Sequence, residues 1–277
     1  MCSEPDRPPL RVEALRQTLL PPAGPYQALD VLSTVPSTNT ALVAAARAGA
    51  PDRTVLIAEH QSAGRGRATR RWVAPPRAGL LLSVLLRPTG VPITRWSWLG
   101  LLAGLVVCRT VHTRTGLPAS LKWPNDLLVG AGLRKAGGIL AEIVPDARAV
   151  VVGIGLNVTL RAQELPVPEA TSLAIEQARC LDRELLLREL LQGLDRELRQ
   201  WCAHAGDAEA SGLREAYQRH CATLGEQVRV ELPGAPVLVG TAEEVDAQGR
   251  LLLRCAGQLQ ALSAGEVRHV RPAHSPR

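Results

Sequence analysis

The residue pattern of the chain changes near residue 224, and this change limits the folds that the chain can adopt. From Leu224 onward, short apolar and β-branched runs alternate with Pro-Gly, Gln-Gly and Ala-Gly pairs. Short strands divided by turn residues at such close spacing predict a small β-barrel, in which residues 237–240 and 241–245 form separate strands. Earlier segments alternate between strand-like and helical patterns. We therefore expect an α+β protein with three parts, a flexible or short helical segment over 1–25, a domain over 26–222, and a barrel over 223–272.

Composition narrows the class of protein. The 277 residues are 46% hydrophobic, which is enough for a sizeable core, but there is no Phe, so Leu, Val and Ala should fill that core. The apolar run 99–108 is too short to span a bilayer and predicts a buried helix.

Six cysteines form no CxxC pair and no metal-ligand spacing, and no signal peptide precedes them. We therefore expect reduced thiols, a cytoplasmic location and no membrane partner.

The basic charge raises one alternative function. The net charge is +6 and the pI is about 9.4, as in many nucleic-acid-binding proteins. The arginines are nevertheless dispersed along the chain, and no segment has the pattern of a recognition helix. A DNA-binding regulator is therefore the less favoured interpretation, and no DNA partner is expected.

The two lysines of the chain lie close together. Of the 32 Lys and Arg residues, only Lys122 and Lys135 are lysines, and they flank the run Trp123-Pro124-Asn125-Asp126. Arg and Lys differ in shape, because the guanidinium is a planar fork and the ammonium a compact point charge. Two lysines kept in one short stretch suggest a need for compact charge there. Drift in an Arg-rich composition is the alternative.

A glycine- and arginine-rich segment follows a predicted strand at 54–59. It begins at Gln61 and contains Gly64-Arg65-Gly66-Arg67. Glycines allow backbone amides to approach an anion, and the arginines supply charge for phosphate. The segment lacks the Gly-Lys-Ser/Thr of a P-loop and is not a dinucleotide-binding fingerprint. A merely solvated basic loop remains the alternative interpretation.

Two further segments carry small polar groups at the ends of predicted elements. Ser37-Thr38-Asn39 precedes an Ala-rich helix, where such residues cap the helix and can also contact a small polar ligand. The buried strand 150–158 contains Gly153 and Gly155 and ends near Asn157. Glycines within a strand often mark the close approach of a ligand or of another backbone.

Taken together, these runs resemble the biotin protein ligase family in their order and spacing. The resemblance covers roughly residues 28–270. It implies a mixed-sheet catalytic domain packed with helices, followed by a small SH3-like barrel. It also implies a two-step reaction, in which biotin and ATP form biotinyl-5′-AMP and pyrophosphate. The biotinyl group then passes to a lysine of a biotin-acceptor domain, such as that of acetyl-CoA carboxylase.

The resemblance also implies roles for individual residues. Catalysis is assigned to Lys135, Arg67 and Asp126. Biotin binding is assigned to Ser37, Thr38, Asn39, Gln61, Arg65, Gly66, Arg67, Lys135 and Gly138. ATP binding is assigned to Arg67, Lys122, Asn125 and Asn157. Mg²⁺ is expected with the ATP phosphates, with no metal held by protein ligands alone.

Some features depart from the family pattern. The family usually has a glycine soon after the second arginine of the loop, whereas this chain has Ala68-Thr69 before Arg70. There is no room for the N-terminal DNA-binding domain of many relatives, so we expect an enzyme without repressor activity. A lipoyl or octanoyl ligase of related fold is the nearest rival within enzymes. A catalytically inactive biotin sensor is a third alternative.

Overall fold

The computed structural model describes residues 7–67, 70–232, 234–263 and 265–269, so Ala68 and Thr69 lie outside the described residues. A seven-stranded sheet has the order β1-β2-β3-β7-β6-β5-β4. Its strands are β1 Ala28–Leu32, β2 Thr54–Ala58, β3 Gly79–Leu86, β4 Ala119–Lys122, β5 Asp126–Val129, β6 Arg134–Val144 and β7 Ala149–Asn157. The helices are α1 Val12–Leu19, α2 Thr38–Arg47, α3 Trp98–Thr115, α4 Arg183–Ala203 and α5 Leu213–His220. Strands β1 and β2 are parallel and the other neighbours antiparallel, which confirms the predicted α+β class with a mixed sheet.

The C-terminal residues form a second sheet. Five antiparallel strands have the order β11-β10-β9-β8-β12. They are β8 Gln227–Glu231, β9 Leu238–Val245, β10 Leu251–Cys255, β11 Gln258–Leu262 and β12 Glu266–His269. Closure of this sheet into a barrel stays a prediction, as do the domain boundaries. The expected break within 237–245 is wrong, because Gly240 lies inside the single strand β9. A Cβ there would come 2.3 Å from the Arg254 carbonyl oxygen, so this glycine permits close approach of β10.

Helices cover both faces of the large sheet because side chains alternate along its strands. In β3, Leu80, Leu82, Val84 and Leu86 belong to the main core with α3 and α4, whereas Leu85 packs with α2 in a smaller cluster. All eight residues of β3 are buried, which explains its nearly continuous apolar sequence. The run 99–108 lies within α3 and is buried apart from Gly100, so the predicted buried helix is confirmed.

The core differs in one respect from the expectation of Leu, Val and Ala. The largest fully buried side chains include Trp98, Trp123, Trp201, Tyr26 and Tyr217. The rings of Trp98 and Tyr217 meet edge to face, with centroids 6.2 Å apart. The few aromatic residues of the chain are therefore concentrated at packing positions. Over the described ranges, the helices do not combine the length and the apolar character that crossing a membrane requires.

The second sheet contacts the first domain through two indoles. Trp98 Nε1 donates to the Ala247 carbonyl at 2.8 Å, and Trp123 Nε1 donates to the Gly249 carbonyl at 3.1 Å. Both acceptors lie in the turn between β9 and β10. Since Trp123 directly follows Lys122, these contacts attach the second sheet beside the lysine-containing segment.

A buried ion pair joins four segments of the chain at the edge of the large sheet where β2 ends and β3 begins. Glu59 follows β2 and Arg183 begins α4, and each is 7% exposed. Arg183 Nη1 lies 2.6 Å from Glu59 Oε2 and also donates to the Gly79 carbonyl at 3.2 Å. The Leu10 amide donates to Glu59 Oε1 at 2.8 Å, and Arg183 Nη2 donates to the Pro8 carbonyl at 2.6 Å. Residues 8–10 are thus held to the main sheet by buried charge.

Candidate active site

A cleft of about 450 Å³ lies between the large sheet, the arginine-rich loop and the second sheet. Twelve of the thirteen predicted site residues line it. They are Ser37, Thr38, Asn39, Gln61, Arg65, Gly66, Arg67, Lys122, Asn125, Asp126, Lys135 and Gly138. Segments separated by a hundred residues in the chain therefore meet around one cavity. The remaining predicted residue, Asn157, is not among the lining residues.

The cleft carries an excess of positive charge. Its lining contains six cationic side chains, namely Arg65, Arg67, Arg70, Arg71, Lys122 and Lys135. Three carboxylates, those of Asp126, Glu231 and Glu266, also line it. Burial lowers the pKa of Arg67 and of Lys122, and in each case the nearby Asp126 carboxylate opposes the shift. Such a cavity favours anionic ligands, because fixed cations in a partly desolvated site attract them strongly.

The start of α2 supplies the small polar groups of one wall. Ser37 caps the helix, and its side chain accepts from the Thr40 amide at 3.4 Å. Gln61 Oε1 accepts from the Thr38 amide at 2.8 Å and lies 3.0 Å from Thr38 Oγ1. The Gln61 carbonyl oxygen is thereby engaged with the protein. Within the described residues no hydrogen bond engages its NH₂ group, so this group can donate to a ligand acceptor such as a carbonyl or carboxylate oxygen.

The described part of the arginine-rich loop is closed like a hairpin. The Trp72 amide donates to the Gly64 carbonyl at 2.9 Å, and the Gly66 amide donates to the Arg70 carbonyl at 2.8 Å. Arg65 and Arg71 form an antiparallel bridge between these bonds. Arg70 also pairs with Glu266 of β12, which connects the loop to the second sheet. The loop thus presents its arginines from a fixed base beside the cleft.

Lys135 and Asp126 form an ion pair on adjacent strands. Lys135 Nζ lies 2.6 Å from Asp126 Oδ1, with side-chain exposures of 30% and 16%. The backbone of Lys135 is held from its other side, because its amide donates to the Glu169 carbonyl and its carbonyl accepts from the Thr171 amide. This arrangement directs a compact ammonium group along the cleft with its position set by two neighbouring segments.

Asn157 supports this region from behind. Its Nδ2 donates to the Thr171 carbonyl at 2.9 Å, and it is 4% exposed. Within the described part of the chain, its Oδ1 is buried and has no hydrogen-bond partner. Asn157 therefore positions the segment that holds Lys135 from behind the cleft lining.

The glycines of β6 and β7 make room for side chains of the protein. A Cβ on Gly153 would lie 2.0 Å from Asn39 Oδ1. A Cβ on Gly155 would lie 2.6 Å from Trp72 Cε2, and one on the neighbouring Gly138 would lie 3.2 Å from Trp72 Cζ3. The close approach expected from the sequence is thus made here by Asn39 and Trp72. The indole of Trp72 rests on two paired glycines and anchors the end of the arginine-rich loop.

Replacing Gly155 by Ala is expected to lower the rate at which the protein converts a ligand bound in the cleft. The decrease should be about tenfold or more, because overpacking by a methyl group costs about 1–3 kcal/mol. The added carbon would displace the Trp72 ring and with it the loop. The measurement is ligand-dependent turnover with a melting curve for each variant. Gly132→Ala is the matched control, since its Cβ would meet Arg134 Cγ at an ordinary 3.6 Å. Wild-type turnover in Gly155→Ala would contradict this account.

Several residues around the cleft were not predicted. Trp72, Ser83 and Glu142 contact predicted site residues, and Glu231 and Glu266 bring the second sheet to the cleft. Ser83 carries a sequence signal, because it is the polar residue of an otherwise apolar strand. The approach of the second sheet has no local signal in the sequence.

Comparison with known proteins identifies the family. Residues 31–158 match the biotin/lipoate A/B protein ligase family, and residues 223–270 match the biotin protein ligase C-terminal domain. A biotin–[acetyl-CoA-carboxylase] ligase of Mycobacterium tuberculosis is 43% identical over 269 residues, which are 96% of this chain and 97% of that protein. The chain belongs to the biotin protein ligase family. The bifunctional ligase/repressor BirA of Escherichia coli is 30% identical over 76% of this chain and 64% of its own length.

Solved structures share the fold. The biotin protein ligase of Aquifex aeolicus in complex with biotin and ATP has a TM-score of 0.74 and 27% identity, covering 88% of this chain and all 100% of that one. The likeness supports the predicted fold class over most of the chain, and the match of residues 223–270 to the biotin protein ligase C-terminal domain covers the second sheet.

Proposed function

We propose that this chain is an ATP-dependent ligase that activates biotin as biotinyl-5′-AMP and transfers the biotinyl group to a lysine of a carrier domain. The observation that carries the proposal is the meeting of twelve motif residues around one cationic cleft. The 43% identity to a biotin–[acetyl-CoA-carboxylase] ligase supports biotin as the substrate and a carboxylase domain as the acceptor. A cytoplasmic location and the absence of repressor activity remain predictions.

The first step joins two anions. A biotin carboxylate oxygen attacks the α-phosphorus of ATP, the new O–P bond forms, and pyrophosphate leaves. Electrostatic repulsion opposes this approach, and fixed cations that contact the developing charge reduce the barrier. In this proposal Lys135 lies between the carboxylate and the α-phosphate, and Arg67 contacts phosphate. Asp126, at 2.6 Å from Lys135 Nζ, holds that ammonium in position.

The second step is acyl transfer to an amine. The carrier lysine attacks the carbonyl carbon of the adenylate, an amide forms, and AMP leaves with the charge that Lys135 stabilises. The amine has to lose a proton during this attack. Asp126 is the carboxylate of the cleft lining that already contacts Lys135, and it is proposed to assist the incoming amine as well.

The proposed substrate-binding roles follow from the chemistry of the side chains in and around the cleft. Ser37, Thr38, Asn39, Gln61, Arg65, Gly66 and Gly138 are assigned to biotin, and Lys122, Asn125 and Asn157 to ATP. The NH₂ group of Gln61 supports binding of a carbonyl or carboxylate acceptor. Asn157 does not line the cleft, so its proposed contribution to ATP binding acts through the Thr171 carbonyl that it holds.

Mg²⁺ is proposed as a companion of ATP. This ion usually keeps several waters and binds substrate phosphates with one or two carboxylates. The lining carboxylates of the second sheet are paired with arginines, Glu266 with Arg70 and Glu231 with Arg229, so the ion is assigned to the phosphates and not to these side chains. When bound, the ion would neutralise charge on the phosphates.

The proposal is tested by ATP–pyrophosphate exchange with and without biotin. Exchange that requires biotin, followed by biotinylation of a purified carboxylase carrier domain, is the expected result. Parallel reactions contain lipoate or octanoate in place of biotin. Exchange supported by these acids and not by biotin would replace the proposal with a lipoyl or octanoyl ligase. Exchange with none of them would contradict acid activation altogether.

A further inference from the structure

A buried polar network lies under one end of the cleft. We call Thr38, Asn39, Ser83 and Glu142 the floor network. Thr38, Asn39 and Ser83 are at most 4% exposed. Ser83 Oγ lies 2.6 Å from Asn39 Oδ1 and 2.7 Å from Thr38 Oγ1. The network is therefore continuous from Thr38, which contacts Gln61, to the amide of Asn39.

The Asn39 side chain uses all of its main hydrogen-bonding groups within the protein. Its Nδ2 donates to the Leu140 carbonyl at 3.0 Å and to Glu142 Oε2 at 2.8 Å, while its Oδ1 faces Ser83. An amide engaged at both ends is held in one orientation at the wall of the cleft. Asn39 therefore acts as a connection between α2, β3 and β6.

Glu142 extends this network to the arginine-rich loop. One carboxylate oxygen accepts from Asn39, and the other, Oε1, lies 2.9 Å from Arg65 Nη1. Arg65 is 48% exposed at its side chain and Glu142 is 23% exposed. One carboxylate thus joins a buried amide of the sheet domain to a guanidinium of the loop.

We propose that Glu142 is a positioning residue, which holds Arg65 and the loop against the floor of the biotin side of the cleft. The inference rests on the proposed function, because it concerns the biotin side of the cleft. Removing the carboxylate frees Arg65 and leaves one N–H of a buried amide without its acceptor. Both changes disturb the biotin side, whereas Lys122, Asn125 and Asn157, which are assigned to ATP and lie outside the loop, keep their contacts.

The test compares steady-state kinetics of biotin-dependent exchange in two variants. Glu142→Gln keeps an acceptor for Asn39 and removes the charge that attracts Arg65, so KM for biotin should rise about two- to fivefold. Glu142→Ala removes both interactions and should raise KM for biotin about tenfold or more. KM for ATP should stay within about twofold of wild type in both variants. Combined with Arg65→Gln, the Glu142→Gln change should have little further effect, since the paired group is already lost.

Glu243→Gln is the matched control, because Glu243 pairs with Arg254 on the second sheet and does not line the cleft. It should leave both KM values unchanged. An unchanged KM for biotin in both Glu142 variants would overturn the inference. Equal rises in both KM values with a lowered melting temperature would also overturn it, as they indicate a general structural role. Absence of exchange in the wild-type protein would instead remove the proposed function, on which this inference depends.

Discussion

Replacing Lys135 by Ala is expected to lower the rate of biotin-dependent ATP–pyrophosphate exchange by about 10²–10³-fold, as the loss of one transition-state donor does elsewhere. The ammonium of Lys135 is held by Asp126 and lies in a cleft lined by cations. Its removal should affect kcat more than either KM, because the charge it contacts develops during the reaction. The measurement is exchange at saturating biotin and ATP.

Two further variants give this expectation its controls. Arg196→Ala removes one positive charge from an exposed position on α4 and should leave the rate unchanged. Lys135→Arg keeps the charge but replaces a compact ammonium with a planar fork, so it should restore only part of the rate. A rate for Lys135→Ala within about threefold of wild type would contradict the assigned role, since a direct donor contributes far more.

Replacing Arg183 by Leu is expected to reduce the free energy of unfolding by about 3–5 kcal/mol, because removing one partner of a buried pair leaves the other charge unpaired. Glu59 would keep only the Leu10 amide as a hydrogen-bond donor to its carboxylate among the described contacts. The carbonyls of Pro8 and Gly79 would also lose their donor. Denaturant unfolding at neutral pH measures this change.

The exposed pair of Arg219 and Glu215 provides the comparison. These side chains are 63% and 74% exposed with a separation of 3.7 Å, so Arg219→Leu should change stability by less than about 0.5 kcal/mol. The double variant Arg183→Leu, Glu59→Leu should recover much of the loss, because no buried charge is left alone. A loss below about 1 kcal/mol for Arg183→Leu alone would show that this pair is not the buried connection described above.

The parts of the site that were predictable from the sequence are those with local chemistry. Ser37 stands before an Ala-rich helix, and Arg65 and Arg67 alternate with glycines, so each segment indicates its own ligand type. Their order along the chain then resembles one family. The convergence of these segments in one cleft depends on the sheet order, which local patterns do not contain.

The remaining parts depend on tertiary contacts. Glu142 looks like any polar residue of a half-exposed strand until Asn39 and Arg65 are seen on its two oxygens. Asn157, which the resemblance assigns to ATP, is not among the cleft-lining residues and holds the Thr171 carbonyl, and its role in binding stays a prediction. The sequence around Asn157 does not indicate this contact, because Thr171 lies beyond a turn-rich loop and is brought to the end of β7 only by the tertiary fold.

The strand glycines illustrate the same limit in the fold. Gly153 and Gly155 were visible as breaks in a strand pattern and were interpreted as marks of close approach, whereas Gly240 was placed at the end of a predicted strand. Only the structure identifies what approaches, which is Asn39, Trp72 and the Arg254 backbone respectively. At Gly240 the sequence predicted the end of one strand, whereas the structure has a single strand that β10 approaches closely.

The restriction of lysine to the cleft has a chemical consequence for handling the protein. The chain contains only two ε-amino groups, on Lys122 and Lys135, and both line the same cavity. A reagent that acylates side-chain amines therefore has no target on this chain outside that cavity. Apart from the terminal α-amino group, amine-directed labels, crosslinkers and surface couplings, which on most proteins modify many exterior sites, therefore report access to this one cleft.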